Sequence, residues 1–255
     1  MTKKKPVELK IDWASHEAAK YACKNWHYSK CMPVPPHIFV GAWESGKFIG
    51  VVVFSRGAAP ALLSPYGLTQ IEGCELTRIA LTAHVTPVSR IMMLAIRFLV
   101  KRNPGLKLIV SFADPVQGHH GGVYQATNWI YCGTTAGTTE YIDKRGRRWH
   151  SRQVSSSGVR RQFGVNRRVP KTTECVHVKC PGKHRYLYPL DVSLRSELMK
   201  LSKPYPKKVN APEAEASMRL GSTEERDGSS PISALQKTKA RSGRANVKQM
   251  TKATG

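Results

Sequence analysis

The sequence predicts a mixed α/β fold in which helices pack on a central sheet. Apolar residues recur at helical spacing in some stretches and form short β-rich runs in others, and prolines and glycines separate these stretches. Along the chain the predicted order is helix, β-hairpin, strand, helix, strand, helix and further strands. This alternation is typical of a sheet with helices on its faces.

The first helix is predicted within "SHEAAKYACKNW", where Ser15 is a suitable N-cap and Ala18, Ala22 and Trp26 recur at helical spacing. It should end before the prolines that follow position 32. The motif "WHYSKC" therefore lies at a helix exit. The β-rich runs "HIFVGAW" and "KFIGVVVFS" flank "ESG" and predict a hairpin.

The middle of the chain predicts a strand, a long helix and a second strand. Alternation along "CELTRIAL" should place Leu76, Arg78 and Ala80 on one face of its strand. Pro87 opens the helix "PVSRIMMLAIRFLVKR", which "NPG" ends. The strand "LKLIVSFADP" stops at Pro115, "GGVYQATNW" predicts a short helix, and "YCGTTAGTTEYI" and the segment around "RRWHSRQV" predict strands.

Composition predicts one main domain and a tail. A chain of 255 residues with 40% hydrophobic content can bury one sizeable core, which we assign to residues 1–202. Residues 203–255 contain one aromatic side chain and are rich in Lys, Ser, Ala, Gly and Thr. Such a segment buries too little apolar surface to offset its ordering entropy, so it is predicted to be a disordered basic tail.

The charge predicts an anionic partner. Forty-one Lys and Arg against 17 Asp and Glu give a formal net charge of +24. The longest apolar runs, "FIGVVVF" and "IMMLAI", are too short to span a bilayer, and the Lys-rich start lacks the apolar stretch of a signal peptide. We therefore expect a cytoplasmic protein with no membrane partner, whose six scattered cysteines stay free thiols.

A basic segment predicts the nucleic-acid surface. Residues 144–171 hold ten Lys or Arg and no acidic residue, with Trp149, His150 and Phe163 between them. Such a segment can bind phosphates and stack on bases, although a solvated charged loop is the alternative. The predicted DNA-binding residues are Lys144, Arg145, Arg147, Arg148, Trp149, Arg152, Arg160, Arg161, Arg167 and Arg168.

The positions of three residues alone make them candidates for a catalytic or ligand-binding role. Asp114 ends an apolar strand, where α/β sheets commonly place their sites, and could orient or deprotonate an amine. The alternative is that it caps the turn before Pro115. Tyr124 follows the glycines of "GHHGG" and could act as an acid, a donor or a ligand, or pack under the sheet. Tyr28 could likewise act as an acid, a donor or a ligand, or only pack against the core.

Several short motifs of the sequence resemble those of a known protein family. The words "WHYSKCMP", "FSRGA", "CELTRIAL", "VSFADP" and "GHHGGVYQATNWIY" resemble, in the same order, the phage Mom family over roughly residues 12–190. The order of elements and "YQATNWIYCG" also resemble the acetyltransferase-like (GNAT) superfamily, in which a tyrosine on the last helix often protonates a departing thiolate. The resemblance implies a GNAT-like mixed central sheet flanked by helices.

The resemblance implies an enzyme that adds a carbamoylmethyl group to the exocyclic amine of adenine in double-stranded phage DNA. This modification would shield the DNA from host restriction nucleases in the bacterial cytoplasm. The implied reaction centre is Tyr28, Arg78, Asp114 and Tyr124. Bound iron is implicated in some members, and His27, Tyr28, Asp114 and Tyr124 offer imidazole and oxygen ligands for Fe²⁺.

The sequence departs from the general acetyltransferase pattern and leaves alternatives open. The usual R-x-x-G-x-G/A phosphate-binding loop is replaced by "LTAHVTPVSR", which has no glycine, and this disfavours acetyl-CoA as the acyl donor. The main alternative is a non-enzymatic nucleic-acid-binding protein on the same fold, and a weaker one is an ordinary amine acetyltransferase. A symmetric dimer would suit duplex DNA, but no coiled-coil repeat indicates one.

A second candidate metal site lies in "CVHVKCPGKH". Cys175, His177, Cys180 and His184 have ligand-like spacing for zinc. Strand alternation would place Cys175 and Cys180 on opposite faces, which argues against convergence on one ion.

Overall fold

The computed structural model describes residues 7–57, 59–162 and 164–208. The chain divides into two compact units, Met1–Val209 and Asn210–Gly255, and all described residues belong to the first. Most of the predicted tail, residues 209–255, therefore lies outside the described residues. None of the helices among the described residues is both long and apolar enough to cross a membrane.

The described part of the chain contains four α-helices and twelve strands. The helices are α1 (His16–Trp26), α2 (Val88–Arg102), α3 (Gly122–Gln125) and α4 (Val192–Leu198). The strands are β1 (Leu9–Trp13), β2 (His37–Glu44), β3 (Lys47–Ser55), β4 (Gly73–Leu81), β5 (Leu108–Ala113), β6 (Ile130–Thr134), β7 (Thr138–Ile142), β8 (Arg148–His150), β9 (Val159–Gln162), β10 (Val165–Arg168), β11 (Val176–Cys180) and β12 (His184–Pro189).

Seven strands form the main sheet in the order β1-β2-β3-β4-β5-β12-β6. Among the described residues, adjacent strands of this sheet are antiparallel, except β4 and β5, which run parallel. That parallel pairing ends at Leu76 opposite Ser111, so the two strands separate beyond this point. The predicted mixed α/β fold is confirmed, and the separation opens a gap in the middle of the sheet.

Helices cover both faces of the main sheet. Helix α1 packs through Ala19, Ala22 and Cys23 against Val51 and Val53 of β3. The apolar side of α2 packs on the opposite face, against a core that includes Val52 and Phe54 of the same strand. Neighbouring residues of β3 therefore serve two cores, as the alternation of side chains along a strand requires.

The two long helices form where their local signals predict them. The Ser15 hydroxyl accepts a hydrogen bond from the Ala18 backbone N–H at 3.1 Å, which satisfies one of the free amides at the start of α1. His27 follows α1 with extended backbone, so the "WHYS" motif does lie at the helix exit. Helix α2 begins after Pro87 and ends before Asn103.

A β-bulge corrects the prediction for the face of "CELTRIAL". Val53 lies opposite Arg78 but Phe54 lies opposite Leu76, so Thr77 is an extra residue in β4. The extra residue turns Leu76 into the core under α2. Ala80 instead belongs to the core under α1. The predicted grouping of Leu76 with Arg78 and Ala80 is therefore wrong for Leu76.

The folded unit continues past the predicted boundary at residue 202. The Lys203 backbone N–H donates to the Tyr131 carbonyl oxygen at 2.8 Å. The Tyr205 hydroxyl donates to the Trp129 carbonyl oxygen at 2.6 Å. Residues 203–208 are thus attached to β6 and the residue before it, and the first part of the predicted tail belongs to the fold.

Candidate active site and nucleic-acid interface

A cavity of about 540 Å³ lies where β4 and β5 separate. Its walls come from the exit of α1, the second half of β4, the residues that lead into and open α2, the end of β5, and the loop that leads into α3 together with α3 itself. Its chemically active lining residues are His27, Tyr28, Arg78, His84, His119, His120 and Tyr124. Three of the four residues predicted for the reaction centre therefore share one cavity.

Tyr124 is the most buried of the predicted site residues, with 7% of its surface exposed. Its hydroxyl oxygen lies 2.7 Å from the hydroxyl of Ser111, which in turn donates to the Leu76 carbonyl oxygen at 2.8 Å. These contacts fix the phenol at the point where the strands separate. Burial raises the pKa of Tyr124 to about 12, so the phenol holds its proton at neutral pH.

His27 is neutral and its tautomer is defined by its neighbours. Burial, and then the positive charge of Arg78, lower the pKa of His27 to about 3. The ring Nδ1 accepts the Ser29 backbone N–H at 3.1 Å. In a neutral imidazole the remaining proton must then sit on Nε2, which makes that nitrogen a hydrogen-bond donor.

Tyr28 lies over His27 at the mouth of the cavity. The two rings are 4.2 Å apart between centroids, and Tyr28 also meets the edge of His119 at 5.3 Å. The side chain is 44% exposed. Partial burial raises the pKa of its phenol, so Tyr28 is also protonated at neutral pH. The residue is therefore accessible to a substrate and held by aromatic contacts.

Arg78 projects from β4 toward the exit of α1. Its Nη1 donates to the Thr77 carbonyl oxygen at 2.7 Å, and its Nη2 lies 4.0 Å from the Cys31 sulfur. Its Nε is buried and, among the described residues, has no hydrogen-bond partner. A guanidinium with spare donors inside a cavity is suited to binding an anionic group.

Asp114 is near the cavity, but its carboxylate is engaged elsewhere. One oxygen accepts the Val116 backbone N–H at 3.0 Å, which is the turn cap that the sequence left open as the alternative. The other oxygen lies 2.9 Å from the Lys183 ammonium. The Asp114 backbone carbonyl accepts the His119 N–H at 3.1 Å, so Asp114 also holds the loop that lines the cavity.

Lys183 and Ser111 are site residues that the sequence reasoning missed. Lys183 reaches Asp114 because its loop is clamped on Thr135, whose hydroxyl accepts the Lys183 N–H at 2.9 Å. The positive charge of Lys183 also acts on the phenol of Tyr28. A serine inside the apolar run "LIVSFA" was the available signal for Ser111, whereas no local signal indicated Lys183.

Three of the four predicted iron ligands, His27, Asp114 and Tyr124, are engaged by other groups of the protein. The Nδ1 lone pair of His27 is taken by Ser29, and its Nε2 carries the proton. The hydroxyl of Tyr124 is bonded to Ser111, and Asp114 is shared by a backbone amide and Lys183. Within residues 7–57, 59–162 and 164–208 no group of three or more His, Cys, Asp or Glu could hold a metal ion. No catalytic step is therefore assigned to iron.

The two histidines of the predicted zinc site also have other partners. His177 on β11 contacts the Thr172 carbonyl oxygen at 2.8 Å through Nε2. His184 on β12 contacts the Tyr131 hydroxyl at 2.9 Å. The two histidines belong to different sheets. Cys175 and Cys180 are free thiols.

A carboxylate of the protein itself occupies the backbone amides just before α2. Glu44, at the end of β2, accepts the Val85 backbone N–H at 3.0 Å and the Thr86 N–H at 2.6 Å. The side chain of Thr86 and these two amides lower the pKa of Glu44, so it is ionised at neutral pH. The amides before the helix thus already bind an anion.

The basic segment, residues 144–171, contributes strands to two small sheets. Strands β11, β7 and β8 form a three-stranded sheet, and β9 and β10 form a two-stranded ribbon. Trp149 on β8 donates from Nε1 to Asp143 at 2.8 Å, and the guanidinium of Arg147 lies over its ring at 4.6 Å. Arg148 pairs with Glu140 at 3.1 Å. Trp149 and Arg148 therefore have partners within the protein.

Comparison with known proteins places the chain in one family. The profile of the Mom protein family matches residues 8–207. The methylcarbamoylase Mom of Escherichia phage Mu is 28% identical over 209 residues, which cover 78% of this chain and 84% of that protein.

Solved structures that match include an N-acyl amino acid synthase and a putative acetyltransferase. An N-acyl amino acid synthase from uncultured soil microbes covers 76% of this chain and 97% of its own, with a TM-score of 0.42 and 10% identity. A putative acetyltransferase from Acinetobacter baylyi covers 81% and 100%, with a TM-score of 0.40 and 11% identity. The fold assignment rests on the sheet topology and the family on the profile match, which spans most of the sequence. The chain belongs to the Mom protein family.

Proposed function

We propose that this protein is a transferase that attaches a carbamoylmethyl group to the exocyclic amine of adenine in double-stranded DNA. The observation that carries the proposal is the cavity between β4 and β5, which gathers Tyr28, Arg78 and Tyr124. Membership of the Mom family and the name of the phage Mu relative support the reaction type. In a phage-infected cell, the modification would protect DNA from restriction in the host cytoplasm.

The cavity is suited to an extrahelical base. An enzyme that modifies a base inside a duplex must turn that base out of the stack and hold it in a pocket. A volume of about 540 Å³ lies within the range of small-molecule sites. Trp26 and Tyr28 supply aromatic surface on one wall, and the histidines of the 118–124 loop supply polar groups on another.

The adenine amine needs positioned assistance because its lone pair is delocalised into the purine ring. In the proposed step the bond from the amine nitrogen to the methylene carbon of the donor forms as the bond from that carbon to the leaving group breaks. The leaving group takes the proton of Tyr124, which burial keeps protonated at neutral pH. The amine gives up a proton, for which His119 beside Tyr28 is the proposed acceptor.

Arg78 and Asp114 have different roles in this proposal. Arg78 binds an anionic part of the donor or a phosphate of the target strand, because it offers fixed positive charge and a free Nε inside the cavity. Asp114 was predicted to orient or deprotonate the amine. Since its carboxylate is held by Val116 and Lys183, we propose that it positions the 118–124 loop and Lys183 instead.

The Glu44 carboxylate before α2 bears on the identity of the molecule that donates the carbamoylmethyl group. A donor with a diphosphate, such as acetyl-CoA, would have to compete with Glu44 for the amides of Val85 and Thr86. Like charges in one site repel, and the Glu44 carboxylate is ionised. We therefore propose a donor that is held through Arg78 rather than through the start of α2.

Nucleoside mass spectrometry of DNA from cells that express the protein tests the proposal. An adenine adduct heavier by one carbamoylmethyl group supports it, and DNA from cells expressing Tyr124→Phe is the control. Tight DNA binding without any adduct would instead support the non-enzymatic alternative. The symmetric dimer on duplex DNA stays a prediction, which sedimentation of the protein alone and with DNA would check.

A further inference from the structure

The pairing of the two strands does not explain the arginines of the β9–β10 ribbon. The two strands pair antiparallel, with Arg160 opposite Arg167 and Arg161 opposite Asn166. Both strands are exposed wherever their side chains are described. Like charges directly opposite each other destabilise a strand pair, and a two-stranded ribbon is marginally stable by itself. The exposed arginines of the two strands are suited to contact with an anionic partner.

The two faces of the ribbon differ in their surroundings. Residues opposite each other in an antiparallel pair share a face, so Arg160 and Arg167 lie on one side. The guanidinium of Arg160 donates to the Arg152 carbonyl oxygen, which ties this side to the body of the protein. Arg161, Asn166 and Arg168 lie on the other side, and all three are exposed.

We propose that the face formed by Arg161, Asn166 and Arg168 enters the major groove of duplex DNA and reads base pairs there. The inference rests on the proposed function for its DNA substrate. The major groove, roughly 12 Å wide, admits a two-stranded β-ribbon. Arginine pairs with the O6 and N7 atoms of guanine, and asparagine pairs with the N6 and N7 atoms of adenine.

Two double variants of equal charge separate groove reading from general attraction. Arg161→Gln with Arg168→Gln removes two charges from the proposed face, and Arg90→Gln with Arg97→Gln removes two charges from the exposed side of α2. Dimethyl sulfate methylates guanine N7, which lies in the major groove. We expect the wild-type protein to protect particular guanines from this methylation, the first variant to lose the protection, and the second to keep it.

A melting curve of each variant shows whether the fold survives, and the single variant Asn166→Ala provides a milder change on the proposed face. Loss of protection in both double variants to the same degree, or in neither, would overturn the inference. Equal competition by an RNA duplex of the same sequence would also overturn it, because the major groove of RNA is deep and narrow. The footprint needs binding only, so it is independent of whether an adenine adduct forms.

Discussion

Tyr124 keeps its hydroxyl proton at neutral pH because burial raises its pKa to about 12. A general acid must hold a proton and have a path to deliver it, and Tyr124 both lines the cavity and contacts Ser111. We expect Tyr124→Phe to lower adduct formation by about 100-fold or more. Duplex DNA affinity should not change, and the free energy of unfolding should fall by about 1 kcal/mol.

Nucleoside mass spectrometry and urea unfolding check this prediction, with Tyr131→Phe as the matched control. That variant also removes one phenol oxygen, whose partner is His184 at 2.9 Å, but Tyr131 does not line the cavity. Undiminished adduct in Tyr124→Phe, or equal losses in the two variants, would contradict the role of the Tyr124 hydroxyl.

His27 makes stability depend on pH in a window where carboxylates stay ionised. Its pKa is about 3 in the folded protein, against 6.5 for an ordinary histidine. Below pH 6.5 the unfolded chain therefore takes up a proton that the folded chain does not, and the free energy of unfolding falls. The slope from this residue is about 1.4 kcal/mol per pH unit.

Urea unfolding at pH 7, 6 and 5 tests this dependence, with His27→Gln for comparison. The wild-type protein should lose stability more steeply than the variant, because glutamine does not titrate. Parallel pH profiles for the two proteins would show that His27 does not remain neutral when folded. The other histidines are the same in both proteins, so the difference between the profiles isolates His27.

The sequence predicted which candidate residues lie together better than it predicted the contacts that hold them. Tyr28, Arg78 and Tyr124 were found through motif words, and they do share a cavity. Lys183 was missed, because its contact with Asp114 depends on a loop from a distant part of the chain. The turn cap at Asp114 had a local signal, the proline that follows it, and it formed.

At the scale of elements, helices with local end signals were predictable and strands without them were not. Ser15 and Pro87 stand before the two long helices, and each helix has an apolar repeat. Strands β1 and β12 are short and pair with partners distant in sequence, so their own residues do not indicate them. No turn residue near Thr77 indicates the bulge in the sequence. The bulge nevertheless determines on which face of the sheet Leu76 lies.

Glu44 links the end of β2 to the start of α2, and this contact should stabilise both elements. Hydrogen bonds to a charged group are worth about 2 kcal/mol, and Glu44→Ala would leave the amides of Val85 and Thr86 without their acceptor. We expect that variant to lose about 2 kcal/mol in urea unfolding, and Glu44→Gln to lose less because its carbonyl oxygen still accepts. Equal stability of all three proteins would refute the contact.

At the scale of the whole molecule, the net charge of +24 is divided between the folded unit and the rest of the chain. Residues 210–255 hold eight Lys or Arg and five Asp or Glu, so residues 1–209 keep 24 minus 3, or +21. Most of the positive charge therefore belongs to the unit that contains the cavity and the ribbon. Composition predicted the anionic partner, but only the fold shows how the exposed arginines are arranged.

Two truncations test where the folded unit ends. A chain ending at Val209 keeps the described contacts, so its melting temperature should stay within about 1 °C of the full-length value. Its DNA affinity should fall modestly, with a shallower dependence on salt, because basic side chains that can meet phosphates are lost.

A chain ending at Ser202 also loses the bonds from Lys203 to Tyr131, from Tyr205 to Trp129 and from the Gln125 side chain to the Pro206 carbonyl oxygen. Each bond contributes about 1 kcal/mol, so this chain should melt about 6 to 12 °C lower. Tyr205→Phe in the full-length protein removes the second bond alone and should account for about a third of that loss. Identical melting curves for the two truncated chains would move the boundary back to residue 202 and show that residues 203–208 add nothing to the fold.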